Sequence, residues 1–513
     1  MSEGRIIRGR EIDEDLNLEP DVCVIGSGAG GSVVAAGLAA RGRSVVVLEE
    51  GSYFQAQDFT LHERDAYPTL YQDLGNRATA DLSITILQGR AVGGTTLVNW
   101  TTCYRTPTRI LDHWADRFGL ELSEARLAPH FDSVEARLGI HRWDEGRINA
   151  NNGALWRGLG ALGLERHILR RNVRGCADSG YCGMGCPVGA KQAMHLTYLA
   201  DALEAGASVY ANCRAEQIEV QGARARVVHA ELLDESTQRP SGRRITVRPK
   251  LVVVAGGAIN TPVLLLKSGL DGGGKVGKRT WLHPVVGVGA LYREEIRPFY
   301  GAPQSVASHH FIERDPGQLG FFLESAPLHP MLAATALGGS GRAHQEIMSQ
   351  LPHIAVGLGI LLDGLLPEEQ GGTVTLRSDG RPRIEYPLEA RHWEAFRASS
   401  RILSRIHLAA GARKVLSMHD EPVSIESEAD LPKLDAAPWQ KLRIPIFTAH
   451  QMGGCPMGAD PERSVVDREL RLRGVDNLFV CDGSVFPTAL GVNPSETIYG
   501  LAHWAAGPIS GAI

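Results

Sequence analysis

Two stretches near the end of the chain carry side chains suited to moving a proton off a hydroxyl. In HQMGGCPMG, His450 to Gly458, a histidine stands among glycines that leave space around its ring. An imidazole with an ordinary pKa of about 6.5 can take a hydroxyl proton at neutral pH. In GVNPSETIYGLAHWAA, Gly491 to Ala506, Asn493 and Pro494 precede a helical pattern that Ser495 is placed to cap. The free N–H groups at such a helix start stabilise negative charge nearby. A third group lies in GCADSGYCGMGCPVGAKQ, where Cys176, Cys182 and Cys186 follow C-x5-C-x3-C spacing, with glycines between them and Pro187 after the last. Clustered thiolates with short spacers suit an iron–sulfur cluster or, less well, zinc. A disulfide with one free thiol, or three reduced cysteines in a glycine loop, fits the same spacing.

The element that must position these residues opens the chain. Val22 to Ile25 reads as a buried strand, an Ala-rich helix runs to about Arg41, and a second apolar strand, Val45 to Leu48, ends in Glu49. Gly26, Gly28 and Gly31 fall between strand and helix in G-x-G-x-x-G spacing. This is a βαβ dinucleotide fingerprint: glycines for a tight turn, close backbone approach and helix–strand packing, with a helix N-terminus for the phosphates. Glu49 can hold ribose hydroxyls, which favours NAD or FAD over NADP. GRAVGGTTLVNW, Gly89 to Trp100, with Gly93, Gly94 and Asn99, suits a backbone lying against a flat ring. Leu478 to Cys481 reads as a strand whose carboxyl end presents Asp482, a ligand position in such sheets.

Between these lie helices across Leu111 to Leu164, a helix from about Met194 to Ala205, and a strand from Ser208 to Val220. A further buried strand, Leu251 to Val254, leads into GGAINTPVLLLKSG, with Thr261 as N-cap and Pro262 at the first helical position. From Val285 to about Arg443 the pattern alternates in strand-like runs: Val285 to Tyr292, Val306 to Ile312, Gly320 to Leu328 and His353 to Leu362. A hairpin over Thr373 to Tyr386 and a covering helix from about His392 to Ala410 complete it. The expected fold is therefore α/β plus α+β. A Rossmann-like dinucleotide domain comprises 1–165, 190–284 and 445–513, a Cys-rich loop 166–189, and a substrate domain on an antiparallel sheet 285–444. At 513 residues, 43% hydrophobic and 22% charged, with a net charge of −5, the composition is that of a soluble globular protein with no pull toward nucleic acid. No apolar run reaches the ~20 residues of a membrane helix. The N-terminus carries no signal-peptide pattern, which makes the cytoplasm the expected compartment.

Four motifs in order carry a resemblance: VIGSGAGGSVVAAGLAA…VLEEG, GRAVGGTTLVNW, GGAINTPVLLLKSG and HQMGGCPMG…VCDGSVFPTALGVNP. The chain resembles the glucose–methanol–choline (GMC) flavoprotein oxidoreductases over nearly its whole length, and its ends look most like the long-chain fatty alcohol oxidase branch. The resemblance implies FAD held by Gly26, Gly28, Ala29, Gly31, Glu49, Gly89, Gly93, Gly94, Asn99, Ala215, Asp482, Asn493 and Pro494. It implies that His450 is the base and Asn493 its partner, oxidising a primary or secondary, mostly apolar alcohol. Some members attach FAD through a histidine where this chain has Val98, so FAD is expected to be non-covalent. Asp271 stands where the family usually has Gly. Similar cysteine spacing in bacterial FAD-dependent sugar dehydrogenases implies a three-iron [3Fe-4S] cluster on Cys176, Cys182 and Cys186 that passes electrons to a quinone or cytochrome. Those enzymes are also exported with a signal-bearing partner, a route that would place this chain in the periplasm; a membrane-peripheral location is the other alternative to the cytoplasm. Without the cluster, O2 becomes the acceptor. The same family fold also hosts hydroxynitrile lyases, in which the flavin is not turned over.

Overall fold

The computed structural model describes residues 4–513. The opening fingerprint builds a parallel sheet whose strand order is Ile6–Arg8, Ser208–Ala211, Val45–Leu48, Val22–Ile25, Leu251–Val254 and Leu478–Val480. The inner strands are apolar at every position because both their faces are buried, so alternation is lost. Helix Ala29–Ala39 packs against helix Ser495–Gly511, and small side chains on the first let the two backbones approach.

A second sheet, antiparallel along its main path, runs Ser424–Ile425, Lys414–Ser417, Val285–Leu291, Ile354–Leu361, Phe321–Ser325, Val306–Ser308 and His167–Ile168. Ile446–Thr448 pairs with Val285–Leu291 on one side and with Ile84–Ile86, in parallel, on the other. The sheet thus draws strands from well outside 285–444. Helix Ala390–Ala409 lies across it. A Cβ at Gly359 would sit 2.5 Å from Ser399 Cβ, so the bare glycine is what lets helix and sheet meet this closely.

Several boundaries differ from the sequence reading. The run Ser208 to Val220 is two strands, Ser208–Ala211 and Cys213–Gln221, broken at Asn212 with φ 55°. The second belongs to a separate sheet with Arg224–Leu233 and Pro240–Val247. The hairpin Gly372–Leu376 and Pro382–Glu385 joins Lys278–Trp281 in a small sheet of its own rather than the large one. The helix expected to start at Thr261 begins at Gly257 instead, leaving Thr261 and Pro262 inside it. Thr261 Oγ1 is occupied by Asp482, a partner that no local reading could supply. Likewise Ser495 caps nothing; its Oγ donates to Thr102 O at 3.3 Å. The stretch from Met194 is a single tight turn before a helix at Tyr198–Glu204. Among the described residues no helix is long and apolar enough to cross a membrane.

Candidate active site

One elongated cavity lies between the parallel sheet and the antiparallel one. Gly26, Gly28, Ala29, Glu49, Gly89, Gly94, Asn99, Ala215, His450, Asp482, Asn493 and Pro494 all reach its wall. Gly31 and Gly93 stand behind it. A Cβ on Gly31 would lie 1.9 Å from Gly26 O, so this glycine serves helix–strand packing. Gly94, at φ 57°, rests on the first turn so closely that a Cβ would meet Gly28 Cα at 2.7 Å. Val98 also lines the cavity and is buried.

Ser27, a residue no motif singles out, ties these turns together. Glu49 Oε2 accepts from Ser27 N (2.9 Å) and Ser27 Oγ (2.6 Å), and Oε1 accepts from Gly51 N (2.8 Å). Gly93 N in turn donates to Ser27 Oγ at 2.9 Å. Glu49 is 6% exposed, and burial raises its pKa, opposed by those donated bonds. Asp482 plays the matching role at the other strand end. Its Oδ2 accepts from Gly257 N (2.7 Å) and Thr261 Oγ1 (2.6 Å), and its Oδ1 accepts from Ser484 N (2.8 Å).

Helices Ala29–Ala39 and Ser495–Gly511 both open onto this cavity, and no side chain caps either. The side-chain oxygens of Asn99 and Asn493 are buried without partners. Unsatisfied helix-start N–H groups suit an anionic group, and orphaned amides suit a polar ring edge. The cavity therefore fits a dinucleotide lying from the glycine turn toward the last helix.

At the far end His450 Nε2 and Asn493 Nδ2 are 3.3 Å apart. Behind His450 sits His283, fully buried, with the two Nδ1 atoms 3.2 Å apart. His283 Nε2 accepts from Gly491 N at 3.3 Å. His283 has φ 45°, a costly backbone for a non-glycine residue, and the Asp363 carboxylate holds it by accepting from its N–H at 3.1 Å. Burial pushes the His450 pKa down to about 4. Beyond Asn493 lies Glu324, fully buried on the cavity wall, its Oε2 3.5 Å from Asn493 Nδ2 and 2.6 Å from Gln304 Nε2. Glu324 Oε1 has no partner, and burial raises the carboxyl pKa to about 8. Sequence reasoning missed His283, Gln304 and Glu324. None belongs to a motif, and only Glu324, inside FFLES, left a trace as an acid in a buried strand.

Cys176, Cys182 and Cys186 gather around one small cavity with Lys191, away from this site. All three are free thiols. Among the described residues no three His, Cys, Asp or Glu side chains converge to hold a metal, so the expected cluster ligands do not form a ligand set. Cys176 Sγ turns to Asp178 Oδ1 (3.8 Å) and Cys182 Sγ to Arg171 Nη2 (3.8 Å), so the sulfurs answer to different partners.

GMC oxidoreductase family models match residues 67–285 and 367–502, and an NAD(P)-binding Rossmann-like model matches 24–67. The chain belongs to the GMC oxidoreductase family. A GMC-type oxidoreductase of Mycobacterium tuberculosis is 33% identical over 489 residues, 94% of this chain and 74% of the relative. A long-chain-alcohol oxidase of Arabidopsis thaliana is 31% identical over 516 residues, 96% and 68% of the two chains. Pyridoxine 4-oxidase from Mesorbium loti shares the fold at TM-score 0.71 and 18% identity, covering 95% of this chain and 98% of its own. Formate oxidase from Aspergillus oryzae does so at TM-score 0.73 and 15% identity, covering 98% and 99%. This GMC chain thus places a histidine–asparagine pair and a dinucleotide-shaped cavity within one fold.

Proposed function

We propose that the protein is an FAD-dependent alcohol oxidoreductase that converts an apolar primary or secondary alcohol to its carbonyl. The observation that carries this reading is the His450–Asn493 pair, 3.3 Å apart on the wall of a cavity that begins at the glycine turn. Non-covalent FAD would be held by the helix start at Gly28 and Ala29, by Glu49 and by the Gly94 turn; Val98 offers no atom for attachment. Bound FAD supplies the hydride acceptor.

The chain's own groups handle the hydroxyl. Asn493 and His450 grip the alcohol oxygen and fix its carbon, which removes much of the entropic barrier. His450 takes the proton at Nε2, a step typically contributing ~10²–10⁴-fold. For Nε2 to be free, the resting proton of His450 sits on Nδ1 and points at His283. The Gly491 N–H on His283 Nε2 favours the reverse arrangement, and the Asn493 amide N–H on His450 Nε2 favours this one, two opposing bonds each worth about 1 kcal/mol. The lowered pKa keeps His450 neutral, and able to accept, at any pH well above about 4.

Val285, Leu358, Ile360 and Phe447 line the same cavity. Strand pairing sets Val285 opposite Ile360 and Phe447, and Leu358 opposite Glu324. This apolar wall beside the pair favours an alkyl alcohol over a sugar. Long-chain-alcohol oxidases stand among the relatives at 29% and 31% identity, and O2 is the acceptor we propose. Anaerobic mixing of the holoprotein with long-chain and short polar alcohols should bleach the flavin fastest with the former. His450→Ala should keep FAD and slow that bleaching at least a hundredfold. Undiminished bleaching in the variant would remove His450 from the chemistry, and no bleaching by any alcohol would remove the redox reading itself.

A further inference from the structure

The acid Glu324 stands in an apolar stretch of sheet. In Phe321–Ser325 it pairs with Ala307 on one side and Leu358 on the other. It is 0% exposed and reaches the cavity wall beside the His450–Asn493 pair. The buried acids at the dinucleotide end are different. Glu49 accepts with both oxygens, from Ser27 and Gly51, and Asp482 does the same from Gly257, Thr261 and Ser484. Glu324 is satisfied on one oxygen alone.

Which oxygen is left open decides what the group can do. Oε2 accepts from Gln304 Nε2 at 2.6 Å and from Asn493 Nδ2 at 3.5 Å. Gln304 is turned that way by Thr102, whose hydroxyl donates to Gln304 Oε1 at 2.7 Å. With two N–H donors on Oε2, the neutral acid carries its hydrogen on Oε1. Burial raises the Glu324 pKa to about 8 and keeps the group neutral below that value. The titratable groups near it, His450 across Asn493 and the Tyr104 phenol, are both uncharged at neutral pH. Oε1 meets no partner among the described residues. The wall thus presents an O–H donor that nothing in the protein receives, a costly arrangement unless a ligand brings the acceptor.

We propose that Glu324 is a substrate-binding residue: its Oε1 hydroxyl donates to a second oxygen of the alcohol, so the substrate is an apolar chain ending in two oxygens, one to be oxidised and one held. This rests on the alcohol oxidoreductase reading above and narrows its substrate class. The spacing follows from the same contacts. The reacting oxygen lies between His450 Nε2 and Asn493 Nδ2, and Oε1 is joined through one carbon to an oxygen 3.5 Å from that Nδ2. The second oxygen therefore belongs on the carbon beside the reacting one or on the next along. A vicinal diol or its ether fits. A plain alkanol leaves the donor empty, and a sugar would set hydroxyls against Val285, Leu358, Ile360 and Phe447.

The test is anaerobic reduction of the holoprotein by three probes of similar length: octanol, the vicinal octanediol and ethylene glycol monohexyl ether. The dependence of the bleaching rate on probe concentration separates the dissociation constant from the limiting rate. The diol and the ether should each bind at least tenfold tighter than octanol, because a site built to bond an oxygen discriminates against the analogue lacking it. Glu324→Leu should bring the three constants together, whatever it does to the limiting rate. Glu324→Gln keeps a donor, an amide N–H, in place of Oε1 and should keep the preference. A carboxyl that only props Asn493 would shift all three probes alike, which overturns the proposal. Equal constants in the unaltered protein overturn it with no variant needed. A gain for the diol but not for the ether overturns it as well, because the ether oxygen can only accept. Equal constants with bleaching by all three leave the redox reading standing, whereas bleaching by none removes that reading and this one together.

Discussion

At the scale of single residues, the proposed chemistry rests on burial shifting two neighbouring groups in opposite directions. His450 is pushed down to about 4 and Glu324 up to about 8. The signs fix a pH profile. His450 loses its acceptor only as pH falls through about 4, so flavin reduction by alcohol should collapse there and not near 6.5. Glu324 is neutral below about 8 and anionic above it. A new anion next to Asn493, in a site screened from water, stabilises the imidazolium that forms when His450 takes a proton. The rate of flavin reduction should therefore rise severalfold through about pH 8, and stopped-flow traces of Glu324→Gln should lack that rise. Of these residues only His450 and Asn493 were legible, because a motif surrounds them. His283, Gln304 and Glu324 act through contacts made across the chain, and only Glu324, an acid inside a buried strand, is marked locally.

At the scale of elements, the parallel sheet was legible because burial on both faces leaves its strands as unbroken apolar runs. Helix starts were not. Thr261 had the look of a cap, yet its hydroxyl goes to Asp482, a residue far along the chain that secures the helix start from outside. The Gly94 turn makes the corresponding prediction. Gly94→Ala adds a Cβ 2.7 Å from Gly28 Cα at a left-handed position, which costs about 1–3 kcal/mol. The turn should lift off the phosphate loop, and titration of apoprotein with FAD should show affinity reduced at least tenfold while far-UV circular dichroism is unchanged. Equal affinity would mean the loop absorbs the methyl group without moving. The cysteine loop carries a different lesson: its spacing was plain in the sequence, but Arg171 and Lys191, which bond to Cys182, belong to no spacing.

At the scale of the whole molecule, the antiparallel sheet was legible as a set of strands but not as a boundary. Ile84–Ile86 and His167–Ile168 join it from far upstream, through pairings that no local pattern announces. The consequence reaches the reactive centre. His450 hangs just past Ile446–Thr448, a strand of that sheet, whereas Asn493 sits at the head of Ser495–Gly511, a helix packed on Ala29–Ala39 beside the parallel one. The two side chains are thus the jaws of a caliper whose arms are separate layers. Mild urea that lets the layers slip by an ångström should silence turnover while the preparation stays yellow, and flavin release should follow only at higher urea. Coincident loss of the two signals would show that the jaws are bolted together more firmly than their separate mountings imply.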